Sequence, residues 1–207
     1  MRRVLRRWVP AVLMIAVIVG ADQGAAMAAK PAPFGYEEVV QTRSDGKVSR
    51  YLAPARTKAQ LQAQIEEQLR RAPGGLQIAD NEISYDNGRF IMTFARPGER
   101  THDDASTLLA DCGGWRFCFF DGPNFGLPRG RLNDCGWQDL WTFNWGDRVE
   151  SSIQSLPSPV FVLYIGHGAV PNHSDDDVYW FTDGSTRQVA TVPNPNAADH
   201  VNQNCPL

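Results

Sequence analysis

The spacing of apolar side chains predicts an amphipathic helix that begins near residue 57. Three apolar residues recur every four positions, which places them on one face of a helix: Leu61, Ile65 and Leu69. Thr57 and Gln60 have the Thr-x-x-Gln spacing of a capping box, which satisfies free N–H groups at a helix start. A Pro-Gly-Gly sequence then ends the pattern.

An Asn-Gly pair predicts a β-hairpin after this helix. Asn87 and Gly88 stand between two alternating runs, and this dipeptide favours a type I′ turn because both residues tolerate a positive φ. With that turn Tyr85 pairs with Phe90, and one face of the hairpin is apolar. We expect the helix to cover that face, so that residues 57–95 form a helix plus β-hairpin module.

The pattern at 111–207 is typical of a β domain. Aromatic side chains alternate with a cysteine at 117–119, and Gly-Pro-Asn at 122–124 supplies a turn. Two further β-rich runs follow, at 160–165 and 178–182. The whole chain is therefore expected to be mainly β, with one helix.

The N-terminus has the features of a secretory signal peptide. An arginine-rich start precedes an apolar run, and Ala26-Met27-Ala28 offers the small residues that a signal peptidase reads. We expect cleavage after Ala28, an extended leader or linker at 29–56, and a second linker at 96–110. The protein is then secreted and extracellular, with no membrane association once the signal peptide is removed.

Two short motifs resemble those of βγ-crystallin Greek keys. Phe120 and Phe125 enclose four residues and precede a glycine, similar to the aromatic corner of those motifs. The sequence DRVESSI at 147–153 resembles the Asn-Asp-x-x-Ser-Ser stretch that closes them. With the close cysteine pair at 112 and 118, these residues resemble the secreted actinobacterial peptidase-inhibitor family, whose type member inhibits metalloproteinases.

This resemblance implies both a fold and a function. It implies a βγ-crystallin-like Greek-key sandwich with disulfides at 111–207, preceded by the helix plus β-hairpin module. It also implies a non-enzymatic peptidase inhibitor with an extracellular peptidase as partner. A rigid exposed loop lowers the entropic cost of docking to a peptidase. The candidate inhibitory loop contains Leu127, Pro128 and Arg129. Leu127 is a bulky apolar side chain that a thermolysin-like pocket could accept.

Four cysteines in an exported chain predict two disulfides, which can be paired in three ways. Proximity and the family resemblance favour Cys112 with Cys118, which leaves Cys135 for Cys205. A reactive thiolate or a zinc site is the alternative for these residues. The chain has no Cys-x-x-Cys sequence, which favours the structural interpretation.

Charge argues against a nucleic-acid partner. Residues 1–28 hold four of the 20 basic residues and one of the 23 acidic ones, so the rest carries 16 positive and 22 negative charges. Nucleic-acid binding normally needs a basic face. The oligomeric state is not fixed by the sequence.

Two groups of residues are candidates for metal binding. Asp147 and Ser151 are the only residues of the 147–153 segment that match an oxygen-ligand motif, so calcium is a weak candidate and a local turn is expected instead. His167 with the His-Ser-Asp-Asp-Asp run at 173–177 is a second group, which we interpret as a solvated acidic turn. We expect no metal and no cofactor.

The sequence contains none of the common catalytic motifs, such as Gly-x-Ser-x-Gly or His-Glu-x-x-His. A glycosidase needs only two facing carboxylates, for which three are candidates: Asp121, Asp134 and Asp139. We expect no enzyme. The alternative to an inhibitor is an extracellular binding or structural module for carbohydrate or cell envelope. Such a module would use tryptophans that otherwise pack in the core: Trp137, Trp141 and Trp145.

Overall fold

The computed structural model describes residues 36–99, 112, 114, 117–155, 160–168 and 174–204. Within them the protein is mainly β, with three antiparallel sheets and one α-helix. No helix among these residues is long and apolar enough to cross a membrane. The predicted signal peptide and most of the predicted 96–110 linker lie outside the described residues.

Helix α1 spans Lys58–Arg71 and begins at the cap found in the sequence. The Thr57 hydroxyl accepts a hydrogen bond of 3.1 Å from the backbone N–H of Gln60. Leu61 and Ile65 are buried, as the four-residue spacing predicts. The same face of the helix is tied to the hairpin and to a distant loop, because the Gln68 amide donates to the hydroxyl of Tyr85 and to the carbonyl of Phe143.

The described part of the expected leader forms a hairpin. Strands β1 (Glu38–Thr42) and β2 (Val48–Leu52) pair as a two-stranded sheet around a turn in which Gly46 has a φ of +80°. The expectation of an extended leader or linker is therefore wrong for these residues. No sequence pattern revealed the hairpin, because both faces of β1 are largely exposed and its residues show no clear alternation. Contacts with distant residues hold the hairpin: the Arg43 guanidinium donates to the Val192 carbonyl over 2.7 Å.

The largest sheet has seven strands and includes the predicted hairpin. In spatial order its strands are β12 (Gln188–Val189), β9 (Ser151–Gln154), β6 (Phe117–Gly122), β7 (Gly126–Leu132), β5 (Phe90–Thr93), β4 (Glu82–Tyr85) and β3 (Leu76–Ala79). Tyr85 lies opposite Phe90, and Asn87 has the φ of 55° and ψ of 37° of a type I′ turn. β5 precedes the predicted linker at 96–110 and β7 follows it, yet the two strands pair. The linker therefore does not mark a boundary between two sheets.

A four-stranded sheet completes the structure. Its spatial order is β11 (Asp177–Thr182), β10 (Val162–Gly166), β13 (His200–Gln203) and β8 (Gly136–Asp139). β8 follows β6 and β7 in the sequence, yet it belongs to the four-stranded sheet. β12 follows β10 and β11 in the sequence, yet it belongs to the seven-stranded sheet. Each large sheet thus takes one strand from the other half of the chain.

The main core lies among both large sheets and α1. Trp145 is fully buried and meets Phe119 edge to face, with ring centroids 4.9 Å apart. In the other sheet Tyr164 stacks on Trp180 with centroids 4.7 Å apart. Rings of this size dominate the apolar area that a small β protein can bury.

A second, smaller cluster contains the predicted disulfide. Cys112 and Cys118 are bonded, and they pack with Phe120, which meets Phe125 edge to face at 5.6 Å between centroids. The described cysteines include no free thiol. The pairing of Cys135 with Cys205 stays a prediction, because Cys205 lies outside the described residues.

Candidate functional site

The candidate inhibitory loop is part of a central strand. Leu127, Pro128 and Arg129 belong to β7, which pairs with β6 on one side and β5 on the other, and Pro128 is buried. The expectation of an exposed loop is therefore wrong. Proline has no N–H for a ladder and normally marks a loop or a strand edge. Here it lies where the pairing of β6 with β7 shifts register, so no ladder bond is required of it.

Ser151, one of the two calcium candidates, serves the aromatic-corner turn. Its hydroxyl donates to the Gly122 carbonyl over 2.7 Å and accepts from the Phe125 N–H over 2.9 Å. This is the local role that we set against calcium binding. Asp147, the other candidate, has a different environment, with Asp199 as its hydrogen-bonding neighbour. Ser151 is thus engaged in the turn, and Asp147 lies in a cleft.

That cleft has a volume of about 500 Å³. It lies between the β1–β2 hairpin, the end of α1 and the loops that follow β8. The aromatic side chains that line it, among the described residues, are Tyr36, Tyr51 and Trp141. Its size is within the range of small-ligand sites, and its lining mixes aromatic rings with charged groups.

Trp141 is the most exposed aromatic residue of the cleft wall. It is 54% exposed, yet its indole Nε1 donates a 2.7 Å hydrogen bond to Asp199 Oδ1. The ring also lies against Gly146, where an added Cβ would come within 2.2 Å of Trp141 Cε2. The indole is therefore held in one orientation while half of its surface faces solvent.

This position corrects the expectation that all three tryptophans pack in the core. Trp145 is fully buried, but Trp137 is 39% exposed and Trp141 more so. Trp137, Trp141 and Trp145 are spaced four residues apart, which would place them on one side of a short helix or turn. A short 3₁₀ turn at Leu140–Phe143 and a left-handed Asn144 change the direction of the chain between them, so the three rings diverge.

Arg148 and Asp121 form a buried ion pair beneath the cleft. Arg148 Nε donates to Asp121 Oδ1 over 2.7 Å, and Asp121 Oδ2 accepts from the Leu52 N–H over 2.6 Å. The guanidinium also donates to the Asn144 carbonyl and lies 4.7 Å from the ring centroid of Trp145. A buried pair is costly unless its polar atoms are satisfied. These contacts satisfy both oxygens of Asp121 and the Nε and Nη1 of Arg148, whereas Arg148 Nη2 has no hydrogen-bond partner among the described residues.

Asp147 introduces a carboxyl group with unusual acidity. Burial raises the pKa of Asp147 to about 6, and the charge of nearby Asp199 and a hydrogen bond between the two add to the shift. At mildly acidic pH this group therefore carries a proton and can donate a hydrogen bond. Its neighbour in the cleft, Trp141, is bound to the same Asp199.

The three carboxylates considered for glycoside hydrolysis have separate environments. Asp121 pairs with Arg148, Asp134 accepts from Arg89 over 2.7 Å, and Asp139 accepts from the Trp141 N–H over 2.9 Å. Each of the three therefore has a different hydrogen-bond partner.

Metal-ligand atoms gather instead at the edge of the four-stranded sheet. Among the described residues, His167, Asp176 and His200 bring one ligand atom each to within 4.8 Å of the others. The sequence pointed to His167 and to the 173–177 run, of which His173 lies outside the described residues. It missed His200, because only the pairing of β13 with β10 brings that residue near.

Comparisons of the chain with protein-family models, curated proteins and solved structures found no match.

Proposed function

We propose that this protein is a secreted, non-enzymatic binding protein whose cleft takes an oligosaccharide. The observation that carries the proposal is the half-exposed Trp141, held by Gly146 and Asp199 at the cleft wall. A ring that is costly to expose and yet fixed in orientation is typical of a ligand platform. Its position favours the carbohydrate-binding alternative over an inhibitory loop at 127–129.

The chemistry of the cleft suits a sugar ring. Sugars offer C–H faces that pack on aromatic rings, and hydroxyls that both donate and accept hydrogen bonds. Tyr36, Tyr51 and Trp141 supply the rings, and Arg50 and Asp147 supply donors and acceptors. The buried Arg148–Asp121 pair keeps the floor rigid, so that a ligand pays little to order the site.

We further propose that the region from β6 to β13 is a βγ-crystallin-like Greek-key sandwich. The exchange of β8 and β12 between the two sheets supports it, because both four-strand halves then have the same arrangement. In each half the first strand lies between the second and the fourth, and the third strand joins the other sheet. The Phe120–Phe125 contact and the hydroxyl of Ser151 beneath it add support from the aromatic corner. The Cys112–Cys118 disulfide favours an extracellular location.

Peptidase inhibition is a second candidate, based on the same resemblance. The disulfide has the position that the inhibitor family implies. An inhibitor of this kind would need an exposed segment other than 127–129, because those residues belong to the middle strand of a seven-stranded sheet.

One pair of assays separates the two functions. The purified protein is mixed with insoluble chitin, cellulose and peptidoglycan and sedimented, and it is also assayed against thermolysin-like and serine peptidases. Retention on a polysaccharide without inhibition supports the cleft proposal. Inhibition without retention supports the second candidate and overturns the first.

A further inference from the structure

Three potential metal ligands converge at the ends of three neighbouring strands. His167 directly follows β10, Asp176 directly precedes β11, and His200 is the first residue of β13. β10 pairs with both other strands, so Gly166 lies opposite Asp177 and Ile165 lies opposite His200. The backbone pairing itself therefore brings the three side chains to one edge of the sheet.

The distance between the two histidine nitrogens fits a small tetrahedral ion. His167 Nδ1 lies 3.3 Å from His200 Nε2. Two nitrogens bound to one zinc ion at about 2.0–2.1 Å are separated by about 3.3 Å. The two oxygens of Asp176 face different histidines: Oδ1 lies 3.9 Å from His167 Nδ1, and Oδ2 lies 4.0 Å from His200 Nε2. With one ligand atom taken from each residue, the three atoms lie within 4.8 Å of one another, so a single Asp176 oxygen must move closer to both nitrogens to complete such a site.

Surrounding groups orient two of the ligands. Asp176 Oδ1 accepts a 2.7 Å hydrogen bond from the Gly168 N–H, which leaves Oδ2 toward His200. The other ring nitrogen of His200, Nδ1, faces Asp139 Oδ1 at 3.8 Å, and Trp137 packs on the ring with centroids 4.8 Å apart. A carboxylate hydrogen-bonded to the second nitrogen of a ligating histidine is the common outer shell of metal sites, and Asp139 needs to move about 1 Å closer to take that role.

Burial and donor chemistry together favour a transition metal. The side chains of Asp176 and His200 are only 3% and 4% exposed, whereas His167 is 45% exposed and gives an ion access from solvent. Two imidazoles and one carboxylate suit zinc and its neighbours, whereas calcium prefers oxygen ligands alone. We propose that His167, Asp176 and His200 bind one zinc-type divalent transition-metal ion.

None of the three ligands lines the proposed oligosaccharide cleft, and the metal proposal does not rest on that function. The alternative is that His167 and His200 are joined by an N–H···N hydrogen bond beside an acidic residue. That arrangement would need no metal. The two interpretations differ in the amount of zinc that the protein binds.

The test is zinc binding by equilibrium dialysis of the protein, purified without a histidine tag, against micromolar zinc chloride. The parent is expected to retain one zinc per chain. Asp176→Asn keeps the oxygen that accepts from Gly168 but removes the charge, and His167→Asn removes a half-exposed ligand. Each is expected to weaken zinc binding at least tenfold. Asp183→Asn is the matched control, because its carboxylate serves a surface turn with Ser185 and Thr186, and it should bind zinc like the parent.

Melting curves recorded without zinc show whether the variants are folded. A parent that retains no zinc overturns the proposal. So does a parent that retains zinc equally well when His167 or Asp176 is replaced, since the ion would then be bound elsewhere. Retention of calcium but not zinc would also contradict it.

Discussion

The carboxylate of Asp199 joins the indole of Trp141 to the backbone of His167. Its Oδ1 accepts from Trp141 Nε1 over 2.7 Å, and its Oδ2 accepts from the His167 N–H over 2.9 Å. One side chain thus positions both the aromatic wall of the cleft and the first histidine of the proposed metal site. The two sites are distinct, yet each depends on Asp199 for its geometry.

Two tryptophans four residues apart are expected to differ in their effect on stability. Trp145→Ala should lower the free energy of unfolding by about 3–5 kcal/mol, because it empties a fully buried position among Phe119 and Phe90. Trp141→Ala should cost only about 1 kcal/mol, since half of the ring faces solvent. Urea denaturation of both variants measures the difference. Equal losses would show that Trp141 is a core residue, as the spacing alone suggested.

Gly130→Ala tests the central position of β7. A Cβ at Gly130 would come within 2.4 Å of the ring of Phe119 and 2.8 Å of that of Phe90, both fully buried. Neither ring has free space to move into, so we expect a loss of about 3 kcal/mol. Thermal unfolding followed by circular dichroism measures it. A melting temperature like the parent's would mean that β7 is not packed as described.

The signals that the sequence carried were local ones. The Thr57 cap and the Asn87-Gly88 turn lie within the elements that they define, and they gave the start of α1 and the register of β4 with β5. The expectation that Pro128 lies in an exposed loop was wrong because its position depends on pairing with a distant strand. Its place in a central strand depends on a register shift of β6 against β7, which no local pattern reveals.

The candidate site was largely beyond sequence reasoning. Asp199 and Trp141 are 58 positions apart, and His200 approaches His167 only through the pairing of β13 with β10. The β1–β2 hairpin was missed because its largely exposed strands show no clear alternation of apolar and polar residues, and hydrogen bonds to distant backbone such as Arg43 to Val192 hold it. Contacts of this kind are properties of the folded chain.

Stability should depend on pH through Glu150. Burial raises the pKa of Glu150 to about 7, although the Ser49 hydroxyl, which donates to Oε2 over 2.7 Å, opposes the shift. Its ordinary value is 4.5, so between pH 4.5 and 7 the folded state keeps a proton that the unfolded state has lost. Protonation then favours folding, and the contribution declines as pH rises through this window.

Glu150→Gln isolates that effect, because other titrating groups are common to both proteins. The amide keeps an acceptor for Ser49 and never ionises. Relative to the parent, the variant should gain about 3 kcal/mol of stability as pH rises from about 4.5 to about 8, and little more above that. Melting temperatures at half-unit pH steps measure the gain. A difference that does not change with pH would mean that Glu150 does not titrate in this window.

The Cys112–Cys118 disulfide is expected to make a modest contribution. It closes a short loop, so the double variant Cys112→Ala, Cys118→Ala should be less stable by about 2 kcal/mol on the chain-entropy estimate. Denaturation of the parent with and without reductant provides a control. Peptide mapping without reduction should find Cys112 joined to Cys118, and Cys135 joined to Cys205. A Cys112–Cys135 link would contradict both assignments.

The measurement that tests the central claim most directly is co-sedimentation of the parent and of Gly146→Ala with chitin, cellulose and peptidoglycan. The substitution removes no functional group, but its Cβ would force the half-exposed Trp141 ring from its place, with little cost to stability because that ring can move outward. The account predicts that at least one polysaccharide retains the parent, and that Gly146→Ala and Trp141→Ala bind it at least tenfold more weakly while they stay folded. A parent that none of the three retains, or a folded Gly146→Ala protein that binds as well as the parent, would contradict it.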